Sequence, residues 1–248
     1  MVTICCRSVT FSNIQAVIFD KDGTLEDSQV FLRELGQKRS RIIDAQIPGT
    51  GEPLLMAFGI QGDILDPTGL MAVGSRRENE IAAAAYIAET GRGWIESLKI
   101  ASSAFEEADR YLKEAATTSP LFVGSLEVLK FLKEAGLKLG ILSAATTASV
   151  QAFVKRHQLD PYIQLQQGVD QGPGKPDPAL FLQACQTLGV EPASTLMVGD
   201  SAGDIEMGRR AGAAGCIGIS WSTSGTVAHL AGADVAIAQL DEIQVLNV

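Results

Sequence analysis

The chain has 248 residues, with 20 Lys and Arg against 29 Asp and Glu, a formal net charge of −9 and a pI near 4.8. That balance, with no block of Lys or Arg, argues against a nucleic-acid coat or a basic membrane-surface binder, and 46% hydrophobic with 20% charged residues is a folding composition rather than a disordered one. It also sets a problem, because a phosphate or carboxylate ligand is repelled at long range and needs local positive charge from a metal ion, a lysine or backbone amides.

In chain order, residues 1–14 carry one arginine and no apolar stretch of signal-peptide length. Nowhere is there a run of about 18 apolar residues, so no membrane span is expected. Cys5, Cys6, Cys185 and Cys216 lack metal-ligand spacing and are expected to be reduced thiols in a cytoplasmic protein. Residues 14–20 (IQAVIFD) form a short, nearly continuous apolar run, the texture of a strand buried on both faces. The texture returns at 137–143, 195–200 and 216–220, with a weaker run at 234–237 for an edge strand. Helix-like stretches at 125–135 and 177–188 lie between these runs. Such alternation predicts an α/β fold: a Rossmann-like three-layer core around a central parallel sheet. Residues 29–119 differ, showing helical periodicity at 78–89 and 97–113 with breaks at 48–53 and 66–69. About 90 residues exceed any βα crossover. The expectation is a small α-helical domain, residues 29–119, inserted after the first strand into a core of residues 1–28 and 120–248.

The predicted strands end in polar residues, Asp20, Ser143 and Asp200, and that edge of an open α/β sheet is where ligands bind. Asp20 and Asp22 stand two apart in DKDGT, so a turn there lets both face one site as two unequally ionised carboxylates, although DxDG alone also fits a capped turn. Asp200 and Asp204 suit Mg²⁺, while Asp204 also suits the cap of a helix beginning near Ile205. Lys175 in GKPDP presents a cation from a loop stiffened by proline, or is an ordinary solvated lysine. Ser143, with Ala144 after it, offers a hydroxyl and amides to a phosphate oxygen, or caps the next helix. There is no Walker A loop and no GxGxxG. His157 and His229 are read as ordinary helix or surface residues, and Cys185 and Cys216 as small buried hydrophobes.

Taken together, VIFDKDGTLEDS, GILSAAT, GKPDP and MVGDSAGDIEMGRRAG resemble, in order, the four motifs of the haloacid dehalogenase (HAD) superfamily, and the later GISW is similar to phosphoglycolate-phosphatase-like members with a helical C1 cap. The resemblance implies a Mg²⁺-dependent phosphatase acting on a small phosphorylated metabolite. In it Asp20 is the nucleophile and forms an aspartyl-phosphate, and Asp22 is the acid and then the base. Asp20, Asp22 (through its main-chain carbonyl), Asp200 and Asp204 form the metal site, while Ser143 and Thr24 hold phosphate oxygens and Lys175 offsets charge at Asp20. Residues 29–119 take the place of the cap, where Arg76 and Arg77 are candidates for substrate contact against the alternative of a solvated helix start. SAAT departs from the family, since many relatives have Asn after the Ser or Thr. A β-phosphoglucomutase-like phosphotransferase is the enzymatic alternative, and a phospho-receiver or regulatory binding module the non-enzymatic one. No nucleic-acid or membrane partner is expected, and the chain is expected as a monomer or homodimer.

Overall fold

The computed structural model describes residues 2–114, 119–221 and 228–246. The chain divides into two compact units, Met1–Asp27 with Leu121–Val248, and Ser28–Pro120. The first unit opens with β1 (Val2–Cys6) and β2 (Val9–Ile14), an antiparallel hairpin in which Cys6 pairs with Val9, followed at once by β3 (Ala16–Phe19). The sequence reading took 14–20 as the first strand. Two strands precede it, and Ile14 belongs to the second of them. All four residues of β3 are buried, as its continuous apolar run requires.

The second unit is mainly helical, with α1 (Gln29–Gln46), α2 (Gly51–Phe58), a two-residue-per-strand hairpin of β4 (Ile60–Gln61) and β5 (Ile64–Leu65), α3 (Leu70–Val73), α4 (Arg76–Glu89) and α5 (Trp94–Glu114). The hairpin was not anticipated, and Pro53 lies inside the first turn of α2, where its missing N–H costs no helical bond. Ser75 and Glu78 form a reciprocal capping box that starts α4. Apolar faces of these helices bury Ile43, Leu54, Phe58, Ile87 and Phe105 in one cluster, with the Phe58 and Phe105 rings edge to face at 6.3 Å.

The chain returns to the first unit through α6 (Ser125–Glu134), β6 (Lys138–Leu142), α7 (Thr147–Arg156), β7 (Leu165–Gln167), α8 (Pro178–Leu188), β8 (Thr195–Gly199), α9 (Ala202–Ala211), β9 (Gly215–Ile219), β10 (Val235–Ile237) and β11 (Ile243–Leu246). The main sheet runs β10-β9-β8-β3-β6-β7 and every pairing in it is parallel. A separate antiparallel sheet, β11-β1-β2, joins the opening hairpin to β11. Two clusters of buried apolar residues pack against the main sheet. One contains Val17, Phe19, Leu129, Phe153 and Ile217 and extends to Ile4 and Ile243 of the smaller sheet, and the other contains Ile18, Phe181, Met197 and Ile205. Because Val17 and Ile18 are consecutive, they face opposite sides of the sheet, which gives the three-layer α/β arrangement of the sequence reading.

From β3 the chain steps outward to β6 and β7, then crosses back to β8, β9 and β10. The order therefore reverses between β3 and β8, the position where open α/β sheets place their ligands. On α8 the adjacent Phe181 and Leu182 are 0% and 44% exposed. Phe181→Ala is expected to lower unfolding free energy by about 3–5 kcal/mol and Leu182→Ala by about 0.5 kcal/mol, as read by urea denaturation monitored at 222 nm.

Candidate active site

Asp20 is the first residue beyond β3, and its amide donates to the Val198 carbonyl of β8 at 2.8 Å. The chain then turns tightly, with the Leu25 and Glu26 amides both donating to the Lys21 carbonyl at 3.0 and 2.9 Å. Gly23 occupies φ +75° in this turn, and a Cβ there would stand 2.0 Å from Asp200 Oδ2. Only glycine lets the turn approach the end of β8 this closely. Trp221 fastens the turn from outside, donating from Nε1 to the Gly23 carbonyl at 3.0 Å while its ring stacks on Phe122 at 4.2 Å.

Asp200 follows β8 directly. Asp204 enters from the first turn of α9, where Ser201 and Asp204 form a capping box and Ser201 Oγ donates to Asp204 Oδ2 at 2.5 Å. The helix begins at Ala202 rather than near Ile205, so Asp204 is its third residue and Ser201 its cap. Asp204 is thus not the cap itself but its reciprocal partner: Oδ2 serves the capping box, while Oδ1 lies 2.6 Å from Lys175 Nζ. Gly199 makes room for it, since a Cβ there would sit 2.4 Å from Asp204 Cγ.

Lys175 precedes Pro176 through a cis peptide bond, and its side chain is buried. Its Nζ lies 2.5 Å from Asp20 Oδ1, so one ammonium bridges Asp20 and Asp204. Asp22 is turned elsewhere, with Oδ1 accepting from Lys21 Nζ at 2.5 Å and Oδ2 lying 3.4 Å from Ser143 Oγ. Ser143 is buried at the end of β6 and its Oγ accepts from the Ala145 amide at 3.1 Å. The helix after it is capped by Thr146, not by Ser143. Thr24 is fully buried, with Oγ1 3.5 Å from Asp200 Oδ1.

The arginines singled out in the sequence lie in the second unit. Arg76 pairs with Glu80 at 2.9 Å and with Asp109, whereas Arg77 is exposed and 3.6 Å from Glu80. Sequence reasoning passed over Lys21, Glu26 and Trp221. Lys21 carried one signal, its place between the two carboxylates of DKDGT, but its burial comes from the tight turn. His157 closes α7, 3.9 Å from Glu26 Oε1. Cys185 and Cys216 are buried, and burial pushes both thiols up, Cys216 to about 11, which suits packing rather than nucleophilic use.

Electrostatics separate the groups. Burial raises the Asp20 carboxyl to about 7, with Lys175 opposing and Asp204 and Asp22 adding to the rise. Burial, then Asp20 and Asp204, hold Asp200 well above the usual carboxylate range. Lys175 stays charged because Asp20 and Asp204 outweigh the cost of burying it. Asp20, Asp200 and Asp204 each offer an oxygen, all within 4.8 Å of one another, and Lys175 is paired with Asp20 and Asp204. Once all three carboxylates are ionised, one ammonium leaves two negative charges uncompensated, and the all-oxygen donor set suits a hard divalent cation such as Mg²⁺. The residues therefore fit the ion that the sequence resemblance implies.

A Mg²⁺ ion on these carboxylates would offset this imbalance, and comparison with EDTA-treated protein tests it. With EDTA, Asp20 keeps its proton in the folded chain up to about pH 7 while an unfolded carboxyl loses it near 3.8. The folded state then binds more protons over that interval, so this group costs stability as pH rises through it. Bound Mg²⁺ requires the ionised carboxylates, so the gap in urea midpoint between Mg²⁺-loaded and EDTA-treated protein is expected to widen from pH 4 to pH 7. A gap independent of pH would contradict cation binding by these groups.

The chain is 28% identical over 200 residues to the N-acetylmuramic acid 6-phosphate phosphatase of Pseudomonas putida, covering 80% of each protein. It is 30% identical over 203 residues to phosphoglycolate phosphatase 1 of Pseudomonas aeruginosa, covering 79% of this chain and 66% of that one. Among solved structures, a predicted phosphoglycolate phosphatase from Haemophilus somnus superposes with a TM-score of 0.70 at 22% identity, covering 92% of this chain and 96% of that one. A β-phosphoglucomutase described from Thermotoga maritima gives 0.60 at 21% identity, covering 90% and 94%. At these identities the structural matches speak to the fold alone. Among the described residues no helix is long and apolar enough to cross a membrane. The model of the haloacid dehalogenase-like hydrolases matches residues 14–212, and the chain belongs to that family.

Proposed function

We propose that the protein is a Mg²⁺-dependent phosphatase that hydrolyses a small phosphomonoester through an aspartyl-phosphate on Asp20. The observation that carries this reading is the different company of the two motif carboxylates: Asp20 stands with Asp200, Asp204 and Lys175, whereas Asp22 faces Lys21 through Oδ1 and Ser143 through Oδ2. One group is thus placed among charges that would hold it ionised with a cation bound, and the other lies outside that cluster with Oδ2 toward Ser143.

In this reading an Asp20 oxygen attacks phosphorus in line, the ester P–O bond breaks, and Asp22 gives its proton to the departing oxygen. Asp22, now a carboxylate, takes a proton from water. The water oxygen attacks phosphorus, the bond to Asp20 breaks and phosphate leaves. Lys175 offsets charge beside Asp20, and Ser143, the amide of Ala144 and Thr24 hold phosphate oxygens. Mg²⁺, held by Asp20, Asp200 and the main-chain carbonyl of Asp22 with Asp204 nearby, would supply neutralisation of the phosphoryl oxygens.

Residues 29–119 act as a cap that shields the reaction from water. The relatives named above act on phosphoglycolate and N-acetylmuramic acid 6-phosphate, both phosphate esters of acids by name. This supports a substrate of phosphoglycolate or sugar-phosphate type. Of the two cap arginines, Arg77 has the freer guanidinium, since Arg76 already spans Glu80 and Asp109.

Asp20→Asn is expected to lower turnover of p-nitrophenyl phosphate with Mg²⁺ by about 10³-fold or more, with an unchanged far-ultraviolet spectrum. Retained activity would overturn the assignment, and isomerised rather than hydrolysed sugar phosphate would favour a mutase. On the best substrate from a panel of phosphorylated metabolites, Arg77→Ala is expected to raise KM about tenfold, the loss of one charged hydrogen bond.

A further inference from the structure

The mechanism leaves one group of buried charges unused. Lys21 and Glu26 are 5% and 4% exposed, and Lys21 Nζ lies 2.7 Å from Glu26 Oε2 as well as 2.5 Å from Asp22 Oδ1. The other Glu26 oxygen is 3.1 Å from Arg156 Nη1 of α7, and the Lys21 ammonium stands 5.6 Å from the Phe153 ring centroid on the same helix. Its Nζ is thus gripped between two carboxylates five and one residues away, inside a turn whose ends the main chain already closes.

Packing does not account for a lysine here. A methionine would fill similar space against Phe153 without taking an ammonium out of water, and such replacements of buried ion pairs are often neutral or stabilising. What the ammonium does is divide the Asp22 carboxylate. Terminal torsions of aspartate are broad, so an unrestrained Asp22 would sample many orientations. With Oδ1 held by Lys21, Oδ2 is the oxygen directed toward Ser143.

We propose that Lys21, anchored by Glu26, is a positioning residue that fixes Asp22 through Oδ1 and leaves Oδ2 as the oxygen that gives and takes the proton. This rests on the phosphatase reading above, in which Asp22 is acid and base. It carries a consequence that a structural ion pair does not. A departing alkoxide needs its proton during bond breaking, whereas p-nitrophenolate leaves without one, so misplacing Asp22 penalises basic leaving groups selectively.

The test compares wild type, Lys21→Met/Glu26→Met and Lys21→Arg. In the double variant Lys21 and Glu26 lose their charges together, so neither is left buried opposite the other; Asp22 Oδ1 loses its hold, which is the change under test, and Arg156, with a side chain 39% exposed, is left to solvent. Rapid quench reads aspartyl-phosphate formation from p-nitrophenyl phosphate and from ethyl phosphate, beside thermal midpoint, KM and calorimetric Mg²⁺ affinity. In the double variant, formation from ethyl phosphate is expected to fall about 10²-fold, with KM, Mg²⁺ affinity and formation from p-nitrophenyl phosphate within about threefold of wild type. Lys21→Arg, which keeps the cation, is expected to recover most of the loss. Equal losses on both esters, or none, would overturn the proposal and leave the pair structural. Should the double variant not fold, Glu26→Gln, which keeps shape while weakening the anchor, must show the same selective loss in smaller measure or the proposal fails. A wild type that phosphorylates Asp20 from neither ester would instead refute the phosphatase reading itself.

Discussion

The structure is organised around a deficit of positive charge where β3 and β8 end side by side. Asp20, Asp200 and Asp204 gather there, with Lys175 paired to Asp20 and Asp204. Like charges in a buried site repel strongly, and the arrangement holds only because the surroundings specify it closely. Gly23 and Gly199 vacate the volume that the carboxylates occupy, the α9 capping box fixes Asp204, and the Val198 carbonyl ties Asp20 to the neighbouring strand. Net acidity of the whole chain has little bearing on such a site. The relevant balance is that of four side chains in a small, largely buried volume.

Two lysines split the acidic groups between them. Lys175 comes from a distant loop and answers Asp20 and Asp204, while Lys21 lies within the motif and answers Asp22 and Glu26. Neighbouring carboxylates two residues apart thereby acquire different partners and different environments. A motif with an apolar residue in place of Lys21 would present Asp22 with one fewer restraint. The identity of that residue is therefore chemistry rather than filler in this chain.

What the sequence made legible follows from pattern strength. β3, β6, β8 and β9 are short apolar runs buried throughout or nearly so, and such runs stand out. β1, β2 and β11 mix buried with half-buried and exposed residues irregularly over four to six positions, so they did not. Asp20, Asp200 and Lys175 could be associated because they sit at strand ends or in a stiffened loop, and the topology then brings strand ends together. Lys21 and Glu26 were missed because the default lysine or glutamate is solvated, and only the tight turn puts both inside. Trp221 was visible as part of GISW, but its partner Gly23 is 198 residues away, and no local pattern announces such a bond.

The smaller sheet bears on the order in which this chain can be assembled. β1 pairs with both β2 and β11, joining Thr3 to Leu246 and Cys6 to Ile243. During synthesis the opening hairpin waits for its third strand until nearly all of the sequence shown here has emerged, whereas Ser28–Pro120 is contiguous and has its own apolar cluster. Contacts of such long sequence separation form slowly, and an unpaired β1 edge is meanwhile open to other strands. The helical unit can thus emerge whole from the ribosome while β3, the strand that leads into Asp20, still lacks its central neighbour, β8.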